Sequence, residues 1–152
     1  MFQQKKSLGQ HFLRSPHYLS LIADAAKIVK NDVVLEIGPG DGALTQVLLA
    51  RGATVLAVEK DTRLIELLRE KFSGKDFEVK EADALDFDTS KLKKYKLVGN
   101  IPYYITGALL KKFLTTKQQP STLVFLVQKE VAERIARSLK EIILSLSVNA
   151  FG

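Results

Sequence analysis

The chain has no cysteine, only two histidines and no long apolar run among its 152 residues. Without cysteine there is no disulfide framework, no thiolate nucleophile and no cysteine-based zinc site. His11 and His17 do not cluster with carboxylates at ligand spacing, so no metal is expected. The apolar run Leu123–Val127 is far shorter than the roughly 20 residues that a bilayer-spanning helix needs. The opening "MFQQKKSLGQ" is polar and lacks the apolar core of a secretory leader. A cytoplasmic setting is the expectation.

What is present is an ordinary globular balance, 46% hydrophobic and 26% charged, in a length that suggests one domain. The net charge of +6 and pI near 9.5 bear on partners and not on fold. Nucleic acid is the commonest polyanion for such a domain. Short β-type runs alternate with helical patterns. Ser15-Pro16 reads as an N-cap followed by proline at the first helical position. "DVVLEI" (32–37), "ATVLAVE" (53–59), "FEVKE" (77–81), "YKLVGN" (95–100) and "STLVFLVQ" (121–128) read as strands. Helices are expected over 43–51, from a cap at Asp61, over 107–115 and from 129 onward. This alternation predicts an α/β fold, a doubly wound and mostly parallel sheet. Ligands of such sheets bind beyond the C-terminal strand ends.

The first strand end carries "EIGPGDGALT", where Gly38, Gly40 and Gly42 allow a tight turn and close approach of a ligand to the backbone. Glu59 closes the second strand, placed for a ribose hydroxyl pair, and Asp83 closes the third. The glycine spacing departs from the dinucleotide fingerprint G-x-G-x-x-G. Glu36, Asp41, Glu59 and Asp83 surround a loop that holds no Lys or Arg. That field repels a pyrophosphate and suits a cation, which favours S-adenosyl-L-methionine over a nicotinamide dinucleotide.

The fourth strand end, "GNIPYYI" (99–105), puts Asn100, Ile101, Pro102 and Tyr103 at the mouth of the same pocket. The amino group of adenine is a poor nucleophile because its lone pair is delocalised into the ring. The side-chain oxygen of Asn100 and the main-chain carbonyl of Ile101 can accept its two N–H bonds and return density to nitrogen. Pro102 fixes its own φ and biases Ile101 away from the helical region. Tyr103 can stack on a splayed-out base. Methyl transfer by in-line displacement would then rest on positioning and electrostatics, without a general base.

Six segments, "KKSLGQHFL" (5–13), "EIGPGDGALT" (36–45), "VEKD" (58–61), "EADAL" (81–85), "GNIPYYIT" (99–106) and "FLVQKEVAERI" (125–135), together resemble the ribosomal RNA adenine N6-dimethyltransferases of the KsgA type. They lie in family order over nearly the whole chain. The resemblance implies a Rossmann-like class I methyltransferase that uses S-adenosylmethionine to dimethylate two adjacent adenosines near the 3′ end of small-subunit rRNA, in ribosome biogenesis. It implies that His11 and Leu13 line the cofactor site. Gly38 would lie on the methionine part, Glu59 on the ribose, and Asp83 with Ala84 on the adenine, with Gly40 and Lys60 also among the cofactor-binding residues. Asn100 would bridge cofactor and target, and Tyr103 would belong to the target-base pocket. Lys5, Lys6 and Tyr104 are candidate RNA contacts. The other basic residues, Lys91, Lys93, Lys94, Lys96, Lys111, Lys112, Lys129, Arg134 and Arg137, read mostly as solvated surface.

Family members continue past the point that corresponds to Gly152, with two more strands and a helical domain. The expectation is therefore one incomplete methyltransferase domain over 1–152, with 1–14 as a basic, cofactor-contacting segment. The cofactor half should be complete, the target half weakened, and the fifth strand a bare edge that invites pairing in an otherwise monomeric protein. Three alternatives stand beside this reading. One is an Erm-type enzyme acting on large-subunit rRNA, since "NIPY" occurs in both groups. Another is a non-catalytic RNA-binding assembly factor that keeps the fold. The third, a nicotinamide-dependent dehydrogenase, is opposed by the glycine spacing.

Overall fold

A computed structural model describes residues 15–102, 104–127 and 129–139. Its elements are α1 (Pro16–Ala25), β1 (Val33–Ile37), α2 (Ala43–Ala50), β2 (Thr54–Glu59), α3 (Thr62–Lys71), β3 (Phe77–Glu81), β4 (Lys96–Asn100), α4 (Thr106–Thr115), β5 (Thr122–Leu126) and α5 (Lys129–Leu139). The strands form one parallel sheet in the order β3-β2-β1-β4-β5. The order reverses between β1 and β4, and this switch point opens a crevice beyond their C-terminal ends.

Strands buried on both faces need apolar residues on both, which is why β1, β2 and β4 are runs and not alternations. Val34, Val55, Val98 and Val124 pack under α1 and α2. On that same face α3 covers Ala57 and Val79 with Leu64, Ile65 and Leu68. Leu35, Ile37, Leu97 and Phe125 pack on the opposite face against Leu109, Leu110 and Phe113 of α4. The sheet is thus doubly wound, as its sequence pattern predicts. Each fully buried Leu in these layers contributes about 1.5–3 kcal/mol.

Four strands start one residue later than the sequence pattern implies, and three local bonds account for them. Asp32 leaves β1 because its carboxylate turns back to accept from Val29 N at 2.9 Å. Ala53 N donates to Leu48 O at 3.3 Å, so it belongs to the exit of α2. Ser121 N donates to Tyr95 O at 2.8 Å, which makes both residues a clasp at the start of β4 and β5. β5 ends at Leu126 and is an edge of the sheet among the described residues.

The two expected caps differ. Ser15 occupies the N-cap position with Pro16 at the first helical position, yet its hydroxyl makes no capping bond. Asp61 does cap α3: its carboxylate accepts from Arg63 N at 3.0 Å and is gripped by the Arg63 guanidinium at 3.0 and 2.6 Å. Its burial at 7% exposure makes that grip necessary.

Gly42 starts α2 at φ +88°, and a Cβ there would lie 2.6 Å from Phe72 Cε2 and 3.0 Å from Leu68 Cδ2. Phe72 cannot give way freely, because it is buried and packs against Phe77 with ring centroids 5.0 Å apart. We expect Gly42→Ala to lower the unfolding free energy by roughly 2–4 kcal/mol, combining left-handed strain with overpacking. Adding Phe72→Leu should return part of that loss. Urea unfolding with an unshifted midpoint for the single variant would refute this account.

Candidate active site at the switch point

The site begins with the backbone. Gly38 N donates to Val58 O at 3.0 Å, extending the β1–β2 ladder by one bond before the chain turns at Pro39-Gly40. Gly38 holds φ +63°, and the nearest protein atom to a Cβ built there is Asn100 O, 4.0 Å away. The end of β4 therefore stands beside the glycine turn, and among the described residues no other atom comes within 4 Å of that position.

Gly99 enforces that closeness. A Cβ at Gly99 would meet Ile37 O at 3.0 Å and Ile101 Cδ1 at 2.7 Å. Ile101 is buried, and its N–H donates to Leu126 O at 3.3 Å, continuing the β4–β5 ladder past Asn100. The Pro102 carbonyl is committed to the turn into α4, accepting from Ile105 N at 3.3 Å and Thr106 Oγ1 at 3.0 Å. Tyr104 is exposed. Tyr103, His11, Leu13, Lys5 and Lys6 lie outside the described residues.

Glu59 is 3% exposed. Its Oε1 accepts from Lys60 N at 2.8 Å and Asp61 N at 3.0 Å, while its Oε2 accepts from Gly40 N at 3.3 Å. Burial pushes this carboxyl up from its ordinary value, and the three amides hold it back only in part. Lys60 turns outward and pairs with Asp83 at 3.2 Å. Asp83 lies two residues beyond β3. Its Oδ1 accepts from Leu85 N at 3.0 Å, a bond that, with Lys60 beside it, lowers its pKa. Ala84 is buried beside this turn.

Two groups carry more weight here than sequence reasoning gave them. Glu36 sits in mid-strand at 1% exposure, and Thr45 Oγ1 donates to its Oε2 at 2.6 Å. Burial, with the neighbouring Glu59 adding to it, raises its pKa to about 8. The signal was a lone carboxylate inside the apolar run "VVLEI". The second group is Lys71. The glycine turn holds no base of its own, but Lys71 reaches it from α3, with Nζ 2.9 Å from Asp41 O. The acidic field is thus tempered by Lys71 at one loop and by Lys60 at another.

Lys96 and Lys112 correct the reading of the basic residues as solvated. Lys96 is 15% exposed and bonds Asp32 at 2.8 Å and Lys27 O at 2.6 Å. Lys112 is half-buried and donates to two carbonyls of the loop after β3. Among the described residues no group of His, Asp and Glu could hold a metal ion, and no helix is long and apolar enough to cross a membrane.

A parallel sheet of this order, with a glycine turn at the switch point and a buried acid closing the next strand, defines a Rossmann-like class I methyltransferase fold. The ribosomal RNA adenine dimethylase family matches residues 1–151, and the chain belongs to that family. It is 45% identical over 154 residues to ribosomal RNA small subunit methyltransferase A of Dehalococcoides mccartyi strain CBDB1, covering 97% of this chain and 53% of that protein. Among solved structures, the 23S rRNA methyltransferase ErmE superposes with a TM-score of 0.76 at 36% identity, over 84% of this chain and 52% of that one. A dimethyladenosine transferase from Plasmodium falciparum gives 0.73 at 36% identity, over 83% and 46%. The chain spans about half the length of these relatives.

The buried carboxyl of Glu36 makes a pH prediction. Its folded pKa, near 8, lies above the ordinary 4.5, so between those values the folded state holds a proton that the unfolded state has lost. This group therefore weakens the fold progressively as pH rises from about 4.5 towards 8, and no further above that. Glu36→Gln keeps a partner for Thr45 and removes the titration. The difference in Tm between variant and parent should move in the variant's favour from pH 5 to pH 8. A difference that stays constant across that window would rule out the neutral carboxyl.

Proposed function

We propose that the chain carries the methyl-transfer module of a small-subunit rRNA adenine N6-dimethyltransferase, with S-adenosyl-L-methionine as methyl donor. The observation that carries this reading is the adjacency of Gly38 and Asn100 O across the switch point, which puts a cofactor turn and a target-base strand end side by side. Family membership sets the dehydrogenase reading aside. The similarity to a small subunit methyltransferase favours small-subunit over large-subunit RNA, although ErmE shares the fold. The protein would act on rRNA within the small ribosomal subunit, in the cytoplasm and as a monomer.

The residues present fit the cofactor. Gly38 leaves room for the methionine part, Gly40 turns beside it at φ +61°, Glu59 lies at the β2 end where a ribose would be held, and Asp83 with Ala84 forms a turn suited to an adenine edge. When bound, S-adenosylmethionine supplies an electrophilic methyl group on a sulfonium; the carboxyl of Glu59 would suit that positive charge, while Glu36, held neutral by burial below about pH 8, would contribute no charge. Asn100 Oδ1 and the Ile101 carbonyl would accept from the amino group of the target adenine. Tyr103 would stack on the base, and His11 and Leu13 would close the cofactor side. Lys5, Lys6 and Tyr104 would contact RNA, the lysines through phosphates, which add affinity without sequence information.

Transfer of label from S-adenosylmethionine to unmethylated small subunits, with nucleosides identified after digestion, tests the reading. Dimethyladenosine in the small-subunit RNA is expected. Label in large-subunit RNA would favour the Erm-type target, and cofactor binding without transfer would favour the assembly-factor reading. Asn100→Ala should cost at least about 100-fold in transfer rate while leaving Tm close to the parent's. Unchanged turnover would sink the acceptor-pair mechanism.

Glu59 needs a gentler probe than alanine, because its carboxylate also holds three backbone amides. Glu59→Gln keeps one acceptor oxygen, enough for Lys60 N and Asp61 N, while giving up the longer Gly40 bond and the charge. Its affinity for S-adenosylhomocysteine should fall by about tenfold in calorimetry. No change in affinity would dismiss the ribose assignment.

A further inference from the structure

We propose that Lys112 is a positioning residue that ties the target-side segment of the site to the cofactor-side loop. The loop after β3 is crowded with acid: Asp83, Asp86 and Asp88 fall within six residues. Such a loop needs a cation to stay compact. Lys112 Nζ supplies it, donating to Ala84 O at 2.7 Å and Phe87 O at 2.5 Å. All three aspartates act on it electrostatically, and its Nζ lies over the Phe113 ring, 5.3 Å from the centroid.

The lysine reaches this loop from α4, the helix that leaves the GNIPYYI segment. Thr106, the first residue of α4, ties back to Pro102 O at 3.0 Å. Six residues of rigid helix, about 9 Å, separate Thr106 from Lys112. A continuous set of bonds therefore runs from Pro102 through α4 to Ala84 and Phe87. Leu109 and Phe113, both fully buried, fix the orientation of that helix on the sheet. A shift of α4 on one side must move the Asp83–Phe87 turn on the other, so order at one half of the site is transmitted to the other half.

The inference deepens the proposed cofactor reading and rests on it for its binding arm. Lys112→Met keeps the apolar stem and removes the ammonium. Lys111→Met, one residue away and exposed, is the matched charge control. Both variants are compared with the parent at a temperature where all three are fully folded. Calorimetry with S-adenosylhomocysteine should show affinity about tenfold weaker for Lys112→Met and unchanged for Lys111→Met. Hydrogen exchange of the ligand-free chains should quicken at residues 84–90 and 101–106 in Lys112→Met alone.

Unchanged exchange at those segments, or faster exchange spread evenly over the domain, would overturn the tether. Localised exchange with intact affinity would overturn its role in cofactor binding. If the parent itself binds no S-adenosylhomocysteine, the cofactor reading falls, and the exchange arm still decides whether Lys112 couples the two segments.

Discussion

One buried carboxylate organises the cofactor end of this sheet. Glu59 closes β2, and its two oxygens take up the amides of Gly40, Lys60 and Asp61. Its own carbonyl accepts from Ala82 N at 3.0 Å, where β3 leaves the sheet. The glycine turn, the start of α3 and the exit from β3 therefore converge on one residue. A loop amide buried without a partner costs on the order of 1–3 kcal/mol, so each of these bonds fixes a path that the chain would otherwise abandon. The shape of the cofactor end is set before any ligand arrives.

The cost of that arrangement is electrostatic. Glu36 and Glu59 are both buried, burial drives both pKa values upward, and the neighbouring Glu59 adds to the rise at Glu36. The protein answers with placement. Thr45 supplies a hydroxyl to Glu36, backbone amides supply Glu59, and lysines from three different elements approach the loops: Lys60 after β2, Lys71 from α3, Lys112 from α4. Each lysine neutralises a loop without entering the space above Gly38. For the proposed cationic ligand, walls steadied from behind in this way would let the site keep its acid.

The strands, their order of appearance and the ends that carry the site are legible from the sequence, because burial on both faces writes long β-branched runs and the glycine turn interrupts them. The cap at Asp61 was legible for a similar reason: an acid directly before the helical spacing of Leu64, Ile65 and Leu68. Side-chain ties over long sequence distances were not. Lys112 and Lys111 look alike in sequence, yet one is half-buried on two carbonyls 25 and 28 residues away and the other is exposed. Lys96 likewise finds Asp32 across 64 residues. Periodicity reports which face a residue is on, but the partner on that face comes from another element and leaves no local mark. Ser15 shows the converse, since the right residue in the right place did not form the expected bond.

The meeting of the two halves depends on glycine as much as on the polar groups. Neighbouring strands of a sheet lie about 4.8 Å apart, and that spacing leaves no freedom to adjust. Gly99 sits flush against Ile37 O because it has no Cβ, and the next residue, Asn100, is thereby delivered beside Gly38. The separation between the glycine turn and the β4 end is thus inherited from the β1–β4 ladder and not from a flexible loop. For the proposed reaction, which lacks a general base, positioning is the main lever. A ladder-fixed separation supplies it with the least reorganisation. In the proposed reading the turn that follows would hold the base, and Thr106 bonds Pro102 O where that turn enters α4.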